Sequence, residues 1–220
     1  MPTAKERLSH LIALAGEGPA ERAALVGELA DLVLDWPPDC PAAMRPPVVA
    51  LLELTVRETG EDMRAKLAAR LGGHGELPLA LVNEFYLVAP GRVRREILMR
   101  NELEDGAVEP LAPPDATGLL AAARQARQSD FDLSFAAALG IAPRIAGAIL
   151  GDASGEALAV LCKGAHLDRA LFSALAVLHG QGEADARLAA YDSVPQRAAE
   201  RLTQFWQSHA EQSGQARAAE

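Results

Sequence analysis

SDFDLSFAAALGIAPRIAGAILGDASGEALAVLCKGAHLDRALFSALAVLHGQG, residues 129–182, decides the fold class of this chain. Shifted on itself by about 25 residues, the stretch brings Leu133 onto Leu158, Arg144 onto Arg169 and Leu150 onto Leu175. Between these positions small apolar residues recur at helical spacing: Ala136, Ala137 and Leu139, then Leu161, Cys162 and Ala165. Periods of about 20–50 residues mark stacked helical units, none of which buries its apolar face alone. The stretch reads as two helix pairs in succession and holds no catalytic constellation. Units of this kind usually bind rather than catalyse.

Composition points the same way. Half of the 220 residues are apolar but only 4% are aromatic, so the core must be built from Ala, Leu and Val. Ala and Leu are the strongest apolar helix formers, and strand-like runs rich in β-branched and aromatic residues are scarce. The expected fold is all-α: HEAT-like stacked antiparallel helix pairs, as an α-solenoid or an irregular helical bundle. Loops of two to five residues between helices of 10–15 residues favour antiparallel neighbours.

The net charge of −9 argues against a sequence-independent grip on nucleic acid, which needs clustered positive charge. It equally disfavours an anionic membrane surface. No apolar run reaches the roughly 18–20 residues of a membrane span. Lys5, Glu6, Arg7 and His10 interrupt the opening segment, unlike a secretory signal. Cys40 and Cys162 have no companion spacing and read as a buried, reduced pair. A cytoplasmic protein is the expectation.

Along the chain, Thr3 and Glu6 form a capping box for a helix to about Ala15. A second helix follows Pro19 to about Asp35, with Leu25, Leu29, Leu32 and Val33 on one face. Trp36 to Pro47 carries five prolines and reads as a connection. Helices are expected near Pro47–Arg57, Glu61–Leu71, Pro78–Val88 and Pro90–Arg100. The apolar piece Leu79–Ala89 also suits a buried strand, and its helical neighbours favour helix. Asp115, Ser129, Ser154 and Asp168 are N-cap candidates, with a further helix opened by Pro143. Glu183–Tyr191 and Pro195–Trp206 close the series. The organisation is therefore an N-terminal helical half (1–100), a linker (101–115), a C-terminal half (116–208) and a tail (209–220) expected to fray.

Residues that carry chemistry elsewhere find structural explanations here. The five histidines (His10, His74, His166, His179 and His209) have no zinc spacing such as HExxH. His10 would suit phosphotransfer only if exposed, and Leu8, Leu11, Ile12 and Leu14 crowd it. His179 at a helix end meets the negative end of the helix dipole. The GGHG turn (Gly72–Gly75) lacks the lysine and hydroxyl of a phosphate loop and reads as a helix stop. Ser173 sits on an apolar helix, where its hydroxyl bonds back to a carbonyl. Glu102, Glu104 and Asp105 have no apolar surroundings to raise a carboxyl pKa. No metal or cofactor is expected, and the balance leans against an enzyme.

One cluster stands out. Arg92, Arg94, Arg95 and Arg100 share one helix, three of them in its first turns, where cations oppose the dipole. The acidic run Glu102–Asp105 follows and could neutralise them. Read as a contact, the cluster would take an acidic protein or a phosphate-bearing ligand, to which Arg forks pair bidentately. Arg144 and Arg169, matched by the internal offset, form a second set.

The run Phe131–Leu175, with Tyr191–Trp206, resembles an alphaproteobacterial family known only as a domain of unknown function. Its pattern, F-x-x-A-L, then L-L-x-D, then A-L-A-x-L-x-K-A-x-G-L, is met by Phe135, Ala138, Leu139, Leu150, Asp152, Ala157, Leu158, Leu161, Lys163 and Leu167. The resemblance runs from about Leu79 to Trp206 and is mostly in core residues. It implies an all-helical, HEAT-like fold in a cytoplasmic bacterial protein, and no activity.

The functional expectation is a non-catalytic helical-repeat scaffold or adaptor, regulatory in role, that binds a protein partner through the Arg92–Arg100 region. The alternative is a sensor holding a phosphorylated small molecule through Arg92, Arg95 and Arg144 or Arg169. No nucleic-acid or membrane partner is expected, and a homodimer is compatible with either reading. Trp36 and Trp206 are expected in the core.

Overall fold

A computed structural model describes residues 18–108, 113–125, 128–179 and 184–218. The expected helix Thr3–Ala15, with its capping box and His10, lies outside these residues. The described residues form twelve α-helices and one short 3-10 turn, with no strand among them. The chain divides into two compact units, residues 1–97 and 98–220.

In the first unit α1 (Pro19–Leu34) is followed by the 3-10 turn Ala42–Met44, α2 (Arg45–Arg57), α3 (Glu61–Leu71) and α4 (Leu79–Glu84). The Leu79 segment is thus helical, although it ends at Glu84 in a series of turns rather than continuing to Val88. Helix α1 packs on α2 and α3, and α2 packs on α4. Leu25, Leu29, Leu32 and Val33 are all buried, as their shared face requires. The opposing α2 residues are Val48, Val49, Leu52 and Val56. The other face of α2 leaves Leu51 and Leu54 exposed. Trp36 is only half-buried and donates its Nε1–H to Cys40 O at 3.1 Å, closing the proline-rich turn rather than entering the core. Cys40 is likewise half-buried, against the expectation of a buried pair; only Cys162 is buried.

Helix α5 (Gly91–Leu103) begins after Pro90 and runs one turn beyond its expected end. The division between the units falls within it, after Ile97. The GGHG turn ends α3. A Cβ on Gly72 would stand 2.4 Å from Val93 Cγ1, so the turn is glycine because α5 comes this close.

The second unit holds α6 (Ala116–Gln125), α7 (Gln128–Leu139), α8 (Pro143–Leu150), α9 (Glu156–Gly164), α10 (Arg169–Leu178), α11 (Ala184–Ser193) and α12 (Gln196–Ala218). Its centre is α9, in which Ala157 through Cys162 and Gly164 are all buried. A helix apolar all round must be enclosed by others, and α8, α10, α11 and α12 all pack on it. The closest approach is to α12: a Cβ on Gly164 would lie 2.2 Å from Thr203 Oγ1 and 2.4 Å from Ala199 O. Trp206 is buried on α12, as expected. That helix continues to Ala218, past its expected end near Trp206, through residues that are mostly good helix formers.

Of the four N-cap candidates, Asp115 and Asp168 serve as expected and two do not: Ser129 lies inside α7, which begins at Gln128, and Ser154 gives way to its neighbour. Asp168 accepts from Leu171 N at 2.7 Å and Asp115 from Gly118 N at 3.0 Å. Ser154 is not the N-cap of α9; Gly155 is, at φ +71°. Ser154 Oγ accepts from Glu156 N, and Asp152 Oδ2 from Ala157 N, so two side chains serve the free amides of that first turn. At the other end of α9, His166 takes the left-handed conformation (φ +56°) and Leu167 N bonds to Cys162 O at 2.8 Å. This is the Schellman closure usually given to glycine.

Candidate functional site

Of the six arginines singled out from sequence, Arg92, Arg94 and Arg95 belong to the first unit and Arg100, Arg144 and Arg169 to the second. Their environments differ. Arg94 is a structural clamp: its Nε donates to Ala89 O at 3.0 Å, its Nη2 to Leu87 O at 2.9 Å, and its guanidinium lies over the Tyr86 ring. These carbonyls belong to the turn leading into α5. A cation in the first turn therefore finds acceptors that offset its unfavourable place on the dipole. Arg92 pairs with Glu96 one turn on, at 3.1 Å, and remains 76% exposed. Arg95 is exposed. Arg100 is half-buried, and burial lowers its pKa from the ordinary value while the Glu104 charge acts in the opposite sense.

In the second set, Arg144 is exposed on α8. Arg169 makes a bidentate pair with Asp192, at 3.0 and 2.8 Å. The hydrogen bond from Arg169 holds the Asp192 carboxyl below its usual pKa and raises that of the guanidinium. Two clefts, one around Arg22, Glu58 and Met63 and one around Ala138, Ala165 and Gln207, contain none of the six arginines.

The acidic run Glu102–Asp105 is not the counter-charge of the Arg92–Arg95 end of the helix. Glu102 Oε2 accepts from Ala198 N at 3.0 Å, capping the start of α12. Arg197 donates to Gly106 O, and Arg201 to the carbonyls of Glu104, Asp105 and Gly106, at 2.7–3.1 Å. Backbone carbonyls at the end of α5 thus carry the interaction, a role that side-chain charge does not reveal.

Two exposed apolar residues extend the arginine cluster. Met99 is 51% exposed and Leu103 is 73% exposed. With Arg92 and Arg95 they fall at i, i+3, i+7 and i+11, which places them along one side of α5. Charge singles out the arginines in the sequence, whereas Met99 and Leu103 are marked only by the helical spacing counted from Arg92.

The histidines have varied surroundings. His179 is buried, stacks on Phe131 with ring centroids 3.8 Å apart, and donates from Nε2 to Ala123 O at 2.8 Å. It ties the end of α10 to α6 and α7, a role beyond the dipole contact expected of it. His166 Nε2 lies 3.6 Å from Glu200 Oε1. His209 Nδ1 bonds to Phe205 O, and its ring packs on that phenyl. Ser173 Oγ donates to Arg169 O at 2.7 Å, the back-bond expected of it. Burial pushes the Cys162 thiol pKa far up, so it packs as a small apolar group. Lys163 Nζ donates to Tyr191 O and Val194 O at 3.0 and 2.6 Å, placing a cation at the negative end of α11. Among the described residues no His, Cys, Asp and Glu side chains gather as a metal ion would need. No single helix there is long and apolar enough to cross a membrane; α7 and α8 pass together only as a pair bent by 112°.

The second unit is thus an all-helical domain organised around one buried central helix. Its residues 114–204 match the family model described as an uncharacterised protein conserved in bacteria (DUF2336). The match bears out the resemblance to a bacterial domain of unknown function over that segment. No curated protein and no solved structure matches the chain.

Proposed function

We propose that the protein is a helical-repeat adaptor that binds a protein partner through the exposed side of α5. The carrying observation is the Arg92, Arg95, Met99, Leu103 stripe, which sets two arginines and two large apolar side chains on one helical face. Arg and Met are enriched at protein interfaces, and apolar anchors rimmed by charge are how such contacts gain affinity. The complementary partner is an amphipathic helix with an acidic border, its apolar face on Met99 and Leu103 and its carboxylates toward the arginine end. Binding would be regulatory and cytoplasmic on this reading. Arg94 is excluded from the contact, because its guanidinium holds the turn before α5.

The test is affinity capture from bacterial lysate with the intact chain, an Arg92→Glu/Arg95→Glu variant and a Met99→Asp/Leu103→Asp variant. A stoichiometric partner lost with both, and kept by Arg144→Glu, supports the reading. A partner that survives both variants overturns it. Arg94 is left intact so that loss of binding does not report loss of fold.

A further inference from the structure

Arg187 lies on α11 with only 4% of its surface exposed. Its Nε and Nη1 are buried and have no hydrogen-bond partner among the described residues. Its stem rests in the hollow left by Gly155, where a Cβ would stand 2.8 Å from both Cβ and Cγ of Arg187. Gly155 is therefore glycine for two reasons, its φ of +71° and the arginine laid against it. The neighbouring Asp152 is engaged at the start of α9, accepting from Ser154 Oγ at 2.8 Å and Ala157 N at 3.0 Å.

A buried charge is costly unless paired, and most ionisable groups escape the cost by becoming neutral. Arginine has no such escape, because its guanidinium is not deprotonated in proteins. A guanidinium held this way needs a counter-ion. The fork presents two edges, each matching a pair of oxygens on a carboxylate or phosphate.

We propose that Arg187, seated against Gly155, anchors a binding site for the oxyanion group of a small-molecule ligand, a phosphate or a carboxylate. The site is separate from the α5 surface and stands or falls without it.

Thermal unfolding and calorimetric titration of the full chain test it, with inorganic phosphate and acetate as probes against sodium chloride at equal ionic strength. At ten times its dissociation constant an effective oxyanion raises Tm by about 3 °C. Response to phosphate alone assigns a phosphorylated ligand, and response to acetate alone a carboxylate. Arg187→Met should abolish the response while melting no lower than the native chain in chloride, since it removes an unpaired buried charge. Arg187→Lys keeps the charge without the fork and should bind at least about tenfold more weakly. No response to either anion overturns the proposal, as does unchanged affinity in Arg187→Lys. A fall in Tm for Arg187→Met in chloride also overturns it, because the charge is then answered within the chain.

Discussion

Helices α9 and α2 are both rich in Leu, Val and Ala, yet one is enclosed and the other is half bare. In α9 every residue from Ala157 to Cys162 is buried, because helices pack around its whole circumference. In α2 the residues Val48, Val49, Leu52 and Val56 face the core while Leu51 and Leu54 face outward. Apolar content alone therefore does not tell a central helix from a peripheral one. What differs is the detail that permits neighbours to approach. Helix α9 ends in Gly164, against which Thr203 and Ala199 are seated. Helix α2 has Glu53 and Arg57 at its flank, and Arg57 is ion-paired at 2.7 Å to both Glu53 and Glu84.

The difference can be broken by substitution. Leu161→Ala in α9 should cost about 2–5 kcal/mol in urea unfolding, since the removed methyl groups leave a cavity that close neighbours cannot fill. Gly164→Ala should cost about 1–3 kcal/mol. Alanine would gain about 1 kcal/mol in helix propensity, but its Cβ would collide with the Ala199 carbonyl at 2.4 Å, and backbone yields little. Lys163→Met should cost about 1–3 kcal/mol by stripping the Tyr191 and Val194 carbonyls of their donor. Leu54→Ala in α2 should change stability by less than about 0.5 kcal/mol. A loss there as large as in α9 would mean that the outer face of α2 is covered in solution, and the concentration dependence of Tm would show whether a second copy covers it.

The smallest effect is expected at the Arg169–Asp192 pair, which is open to solvent and screened. Its pH dependence has a definite sign. The Asp192 pKa is lowered in the folded chain, so its contribution is present above the ordinary carboxylate range. It is lost as pH falls below about 4. The stability difference between native and Asp192→Asn proteins should shrink over that acidic window and be flat near neutrality.

Much of this architecture was legible in advance, for identifiable reasons. The class followed from Ala and Leu at helical spacing, and ends such as Asp168 followed from local capping chemistry, which needs only neighbours in sequence. The 25-residue offset carries α7 near α9 and α8 near α10, but burial does not follow it throughout: Leu133 is exposed where Leu158 is buried. Which face of a helix is covered depends on partners far along the chain. The site was less legible for the same reason. Arg94 looked like its neighbours until the Leu87 and Ala89 carbonyls were placed beside it. Arg187, within EADARLAAYDS, has the sequence context of an ordinary surface cation, and only the hollow at Gly155 distinguishes it. Trp36 misled because an indole is large and apolar, while its N–H found a carbonyl four residues away.

The contact between Glu102–Gly106 and the start of α12 bears on how the second unit assembles. Its hydrogen bonds join residues 91–97 positions apart in the chain. Closing so long a loop is entropically slow, and contacts of this separation tend to form after local helices are in place. A polypeptide cut to residues 107–220 would hold α6 through α12 but leave the Ala198 amide without Glu102. Such a fragment should collapse around α9 yet unfold faster than the longer chain, with the missing clasp felt as a shorter lifetime of the folded state.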